Sequence, residues 1–220
     1  MARKIILITR PRHDKNTNYL YYFAGNLISA VQFVNEHTII DLAGEKAKRN
    51  IFESAVKKTR PRLIILNGHG SKEEIYGHKD EVILDEDNIE ILNSSIVYAV
   101  ACDSAYHLGP VAVDKGKADA YIGYESHFMI IIDETKTATL VKDKNIKPFE
   151  QVYARVFFQL IAGRNIKETI DDTKEFIKKL ITEYGVYGVR DKFGDAPLIR
   201  FALYWDLYFL QMHGSEDAVF

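Results

Sequence analysis

Leu63-Ile64-Ile65-Leu66-Asn67-Gly68-His69-Gly70-Ser71 and Ser95-Ile96-Val97-Tyr98-Ala99-Val100-Ala101-Cys102 are the stretches whose reading decides the fold. Each is a short, almost unbroken apolar run that ends abruptly at a turn-forming or reactive residue. Apolar residues at every position, rather than alternate ones, mark a strand covered on both faces, as in a parallel sheet. Lys4–Thr9 and Thr38–Leu42 precede these runs in the same style, and Ala118–Gly123 follows them.

The segments between the runs read as helices. Tyr19–Asn35 places Leu20, Phe23, Leu27, Val31 and Val34 at helical spacing behind Thr17 or Asn18 as N-cap. Glu45–Lys58 and the shorter Gly109–Lys117 are the next two. The C-terminal third changes character, to a series of helices. Phe149–Ala162 is stopped by Gly163, and Ile166–Tyr184 turns Ile170, Phe176, Ile177, Leu180 and Ile181 inward. Pro197–His213 is apolar on nearly all sides, which predicts one long helix that is buried or lies at a subunit contact. The polar, lysine-rich Asp133–Lys147 reads as a mobile loop inside the domain. These elements predict a single α/β domain over residues 1–220, a three-layer α/β/α sandwich with a mostly parallel sheet. Its C-terminal helical portion covers about residues 148–214.

Composition narrows the function. The chain of 220 residues is 47% hydrophobic and 27% charged, with a formal net charge of −2, so it has enough apolar side chains for one substantial core. No dense Lys/Arg stripe suited to phosphates is present, so no nucleic-acid partner is expected. Lys57-Lys58 and Lys178-Lys179 sit among carboxylates and read as solvated helix faces. The apolar run after Arg3-Lys4 stops at Thr9-Arg10-Pro11, too short for a signal-peptide core. No stretch approaches the ~20 apolar residues of a membrane span. With a single cysteine there is no intramolecular disulfide, and a cytoplasmic protein without a membrane partner is expected.

His69 and Cys102 each fall at the carboxyl end of an expected parallel strand, the edge outside which ligands bind in open α/β sheets. Gly68 and Gly70 allow an unusual turn around the imidazole and leave room for a substrate chain. A cysteine attacks as thiolate, favoured by nearby positive charge or by the free N–H groups of a helical turn starting at Cys102. His69 would assist deprotonation or protonate the leaving amine. Backbone N–H groups of Gly70 and Cys102 would receive the oxyanion. Either residue alone is commonly a packing or loop residue; the joint placement is what points to chemistry.

Strand-Gly-His-Gly followed by strand-Ala-Cys-x-Ser resembles the paired signature of the caspase-like fold, the clan CD cysteine peptidases. NGHGS at 67–71, VACDSA at 100–105 and AYIGYES at 120–126 are similar in style to the CHAT-domain and gingipain branch. The resemblance covers roughly Arg3–Phe128 by motif, and beyond that only a helical pattern such as Phe149–Gly163. It implies His69 as catalytic histidine, Cys102 as nucleophile and oxyanion donors at Gly70 and Cys102. It departs from the family at Val100. Several of these peptidases carry an acidic or amide side chain two before the nucleophile, and the caspase pentapeptide is absent here. Primary specificity therefore does not carry over.

Arg10 and Arg12 after the first strand, and Asp14, Asp41, Asp103 and Glu125 at or after other strand ends, are candidates to line a pocket or orient His69. Asp41, Asp103 and Glu125 slightly outnumber Arg10 and Arg12, which leans toward cleavage after Lys or Arg. His78, His107 and His127 are scattered, and Cys102-x4-His107 matches no standard zinc spacing, so neither metal nor cofactor is expected. With no P-loop and no Gly-x-Gly-x-x-Gly after the first strand, nucleotide binding lacks support. The expectation is a cysteine-type endopeptidase acting on a peptide or protein substrate. A homo-oligomer or a regulatory partner protein is left open. The alternatives are a catalytically silent caspase-like interaction module and a flavodoxin-like regulatory domain, which leaves the Gly-His-Gly turn unexplained.

Overall fold

The computed structural model describes residues 4–31 and 37–220. Strand β1 (Lys4–Arg10) leads into helix α1 (Lys15–Val31), β2 (His37–Ala43), α2 (Arg49–Thr59) and β3 (Leu63–Asn67). A small hairpin of β4 (Ile75–Tyr76) and β5 (Val82–Leu84) follows, then β6 (Ile96–Val100), α3 (Leu108–Asp114) and β7 (Ala120–Tyr124). Helices α4 (Lys147–Ile161), α5 (Ile166–Glu183) and α6 (Ala196–Phe209) precede a last strand, β8 (Leu210–Gly214). The six-stranded sheet has the order β2-β1-β3-β6-β7-β8, parallel throughout except where β8 runs antiparallel to β7. It is an α/β architecture with helices on both faces.

Strand alternation builds the two faces. Ile6, Ile8, Leu63, Ile65, Tyr98 and Ile122 point into one core with α1, α4, α5 and α6. Leu7, Ile64, Leu66, Val97, Ala99 and Tyr121 point into the other with α2 and α3. All five residues of β3, of β6 and of β7 are buried. That double burial is why their sequences are apolar at consecutive positions.

Helix boundaries follow local chemistry. Asp14, not Thr17 or Asn18, caps α1. Its Oδ1 accepts from the Thr17 N–H at 2.8 Å and the Thr17 hydroxyl at 2.9 Å. The carboxyl end expected for this helix, 32–35, lies outside the described residues. Helix α2 ends as the chain passes Arg60 in the left-handed region, φ 46°.

The apolar run expected as one helix over Pro197–His213 divides at Phe209, where Leu210 turns extended and β8 pairs with the open edge of β7. Pairing to a free edge outweighs continued helix formation there, because it satisfies a row of backbone groups that helix continuation would leave open. Nor is α6 buried all round, since Leu198, Phe201, Tyr204 and Tyr208 face outward. The segment expected as a mobile polar loop, Asp133–Lys147, contains two short 3-10 turns and the buried pair Asp143 and Asn145. Asp143 accepts from the Tyr19 hydroxyl and from the Asp133 and Asn145 N–H groups, which fixes this segment on α1. Among the described residues no helix is long and apolar enough to cross a membrane.

Candidate active site

Four strands, β1, β3, β6 and β7, release their chains at the same edge of the sheet. The chain leaves β1 toward the edge strand β2 and returns to β3 on β1's other side. The strand order therefore reverses between β1 and β3, where open α/β sheets form their ligand crevice. A cavity of about 270 Å³ lies there. It is lined by His69 and Gly68 after β3, Ala101 and Cys102 after β6, and Phe128–Ile131 after β7. Residues of the first turns of α1 complete it. The sequence pairing of His69 and Cys102 at one crevice therefore has its counterpart in the fold.

The glycines beside His69 are required by close approach. At Gly68, φ is +153° and a Cβ would stand 2.1 Å from the Tyr76 carbonyl oxygen. At Gly70 a Cβ would fall 2.6 Å from the Cys102 carbonyl oxygen and 3.1 Å from its nitrogen. The histidine turn is thus pressed onto the backbone of the cysteine turn. Among the described residues neither the Gly70 nor the Cys102 N–H donates to a backbone carbonyl, and the Cys102 N–H faces its own thiol, so both can turn to an oxyanion at the sulfur.

Asp14 is the residue that organises His69. While Oδ1 caps α1, Oδ2 receives His69 Nε2 at 2.5 Å. Burial pushes the Asp14 carboxyl up, but the hydrogen bonds from His69 and Thr17 outweigh it and hold the group below its ordinary value. With Nε2–H engaged, the free lone pair of neutral His69 is on Nδ1.

Cys102 is half-buried, and burial pushes its thiol above the ordinary value. The Phe128 N–H works in the opposite direction, with Asp103 and Asp206 adding to the rise. The helical start expected at Cys102 is absent. Asp103 adopts φ 59°, its N–H bonds the Ser126 carbonyl at 3.1 Å, and α3 begins only at Leu108. The thiolate therefore draws no help from a helix dipole.

The remaining candidates lie elsewhere. Asp41 is ion-paired with Arg10, through Arg10 Nε at 2.7 Å and a second, shorter contact. Arg12 lies with Tyr21 beside that pair. Glu125 follows β7, and its N–H is tied to the Phe209 carbonyl. None of Arg10, Asp41, Asp103 and Glu125 lines the cleft. Arg10 and Asp41 neutralise each other, and Asp103, in the left-handed turn after Cys102, acts on the thiol by its charge without lining the cavity. The wall is instead apolar: Leu20, Val100, Phe128, Met129, Ile130 and Ile131. His107 pairs with Glu86, while His127 lends its carbonyl to Trp205 Nε1 at 2.9 Å.

Asp206 was not singled out by its sequence position, yet it bears on the site. It is buried in α6, and Oδ1 accepts from the Met129 N–H at 2.9 Å. Desolvation raises its carboxyl well above the ordinary range, against the smaller opposing pull of the Met129 N–H. Asp206 and Trp205 together clamp the 127–131 wall onto α6. The available signal was a single acid inside Phe201-Ala-Leu-Tyr-Trp-Asp-Leu-Tyr-Phe209, where nothing else is charged.

No family model matches the chain. A search of curated proteins likewise returns no match.

Proposed function

We propose that this chain is a cysteine-type endopeptidase of the caspase-like fold, with Cys102 as nucleophile, His69 as acid–base and Asp14 as the residue that orients His69. The observation that carries this reading is the convergence of His69 and Cys102 on one cleft, beside two N–H groups, of Gly70 and Cys102, that bond no backbone carbonyl. Cys102 Sγ attacks the scissile carbonyl carbon as its proton passes to His69 Nδ1. The carbonyl oxygen becomes an oxyanion held by the two N–H groups. On collapse His69 returns the proton to the leaving amine, giving a thioester, which water hydrolyses by the reverse proton path. The apolar wall favours an apolar side chain in the cleft, in place of the Lys or Arg suggested by the carboxylate count.

The raised thiol favours a second reading, the silent interaction module, because burial disfavours the thiolate that a nucleophile needs. A library of peptidyl electrophiles separates them. The expected result is a single adduct on Cys102, lost in Cys102→Ala and His69→Ala and strongest for apolar side chains. Labelling that requires denaturation would assign Cys102 to packing and favour the module.

A further inference from the structure

Beside the cleft, three segments bring a second set of donor groups together. His13 and Asp14 follow β1, His69 follows β3, and Asp80 sits in the turn of the β4–β5 hairpin. One donor atom of each lies within 4.8 Å of the others. His69 Nε2 is 2.5 Å and His13 Nε2 3.6 Å from Asp14 Oδ2, and His13 Nε2 is 3.1 Å from Asp80 Oδ1. In a tetrahedral zinc site with bonds of about 2.0–2.2 Å, ligand atoms stand about 3.4 Å apart. The observed spacings bracket that edge, so small side-chain shifts complete the geometry.

Ion pairing alone accounts for these contacts incompletely. The His13 side chain is only 11% exposed and packs edge-on between the rings of His69 and the buried His78, at 6.0 and 5.5 Å. The Nδ1 atoms of His13 and His78 are buried without a hydrogen-bond partner. The stack holds the His13 ring with Nε2 toward Asp14 and Asp80, the orientation in which that nitrogen can ligate a cation. Two imidazoles with two carboxylates suit zinc and its borderline neighbours rather than magnesium or calcium.

We propose that His13, Asp14, His69 and Asp80 bind a zinc-class divalent cation that turns the His69–Cys102 pair off. Binding rests on the donor set alone, whereas the switch rests on the peptidase reading. Coordination takes the Nε2 lone pair of His69, so the proton of the neutral ring resides on Nδ1. That nitrogen then has no lone pair to receive the thiol proton. Only coordinate bonds form, and nothing is oxidised or reduced. Cys102 is outside the donor set.

The test titrates zinc into the full chain against a chromogenic chelator, and follows peptidyl-electrophile labelling of Cys102 with and without zinc. We expect one equivalent bound, at least about tenfold weaker binding in His13→Ala and Asp80→Asn, and unchanged binding in Cys102→Ala. Asp80 is mostly exposed, so its amide variant keeps the fold and stands as the control for His13→Ala. Labelling should slow on adding zinc and recover with chelator. Wild-type affinity in both ligand variants, or loss of binding in Cys102→Ala, overturns the site. Binding that leaves labelling unchanged overturns the switch. If zinc-free protein never labels, the peptidase reading falls, while the zinc titrations still decide the site.

Discussion

Asp14 holds two groups with one carboxylate, the N-terminus of α1 and the ring of His69, and this makes Asp14→Asn an informative change. Asparagine is as good an N-cap as aspartate, so α1 and the fold should persist. Its amide NH2, turned to His69, would donate to Nε2 and drive the ring proton onto Nδ1. Electrophile labelling of Cys102 should then drop about 10²- to 10⁴-fold with unchanged unfolding midpoint; an unaltered rate would remove Asp14 from the reaction. A second expectation concerns the thiol itself. Because burial raises it, alkylation of the free protein by iodoacetamide should follow a pH profile displaced above that of an unstructured cysteine. The sequence suggested the reverse, since it placed a helix start at Cys102. A profile displaced below the unstructured reference would show that His69 outweighs burial.

At the scale of elements, the strands were legible because double burial writes itself into consecutive apolar positions, as in Leu63–Asn67 and Ile96–Val100. What escaped was set by tertiary pairing. Nothing in Trp205–His213 announces where the helix stops, since β8 is extended because β7 offers it an edge. The catalytic candidates His69 and Cys102 were visible at strand ends, whereas Asp14 was one carboxylate among several. Only the fold separates Asp14 from Asp41, by giving Asp41 an arginine partner and Asp14 a histidine. His13 and Asp80 were invisible as a set because 67 positions separate them. The turn glycines admit a direct check. Gly70→Ala forces a Cβ onto the Cys102 backbone, so it should destabilise the chain by about 1–3 kcal/mol in urea unfolding. The two turns must also separate, which should slow Cys102 labelling. An alanine tolerated at no cost would mean that they are not in register.

For the molecule as a whole, the site depends on both ends of the chain. Asp14 orients His69, while α6, from the last tenth of the chain or so, fastens the apolar wall through Trp205 and Asp206. That fastening has a signature in the pH dependence of stability. Folding raises the Asp206 carboxyl, so the native state keeps a proton that the unfolded chain has released. Its contribution is fully present below the ordinary carboxylate value of 3.8 and is lost as pH climbs toward the native value. The limit for one proton is about 1.4 kcal/mol per pH unit. Asp206→Asn keeps an oxygen for the Met129 N–H but cannot ionise. Groups such as Asp14, whose lowered carboxyl stabilises at higher pH, act equally in both proteins and cancel in the comparison. Urea unfolding of wild type and Asp206→Asn between about pH 4 and pH 8 should therefore show the variant gaining on wild type with pH until the native Asp206 carboxyl ionises. A difference that stays constant over that range would mean that Asp206 ionises normally and that the wall is held by its backbone contacts alone.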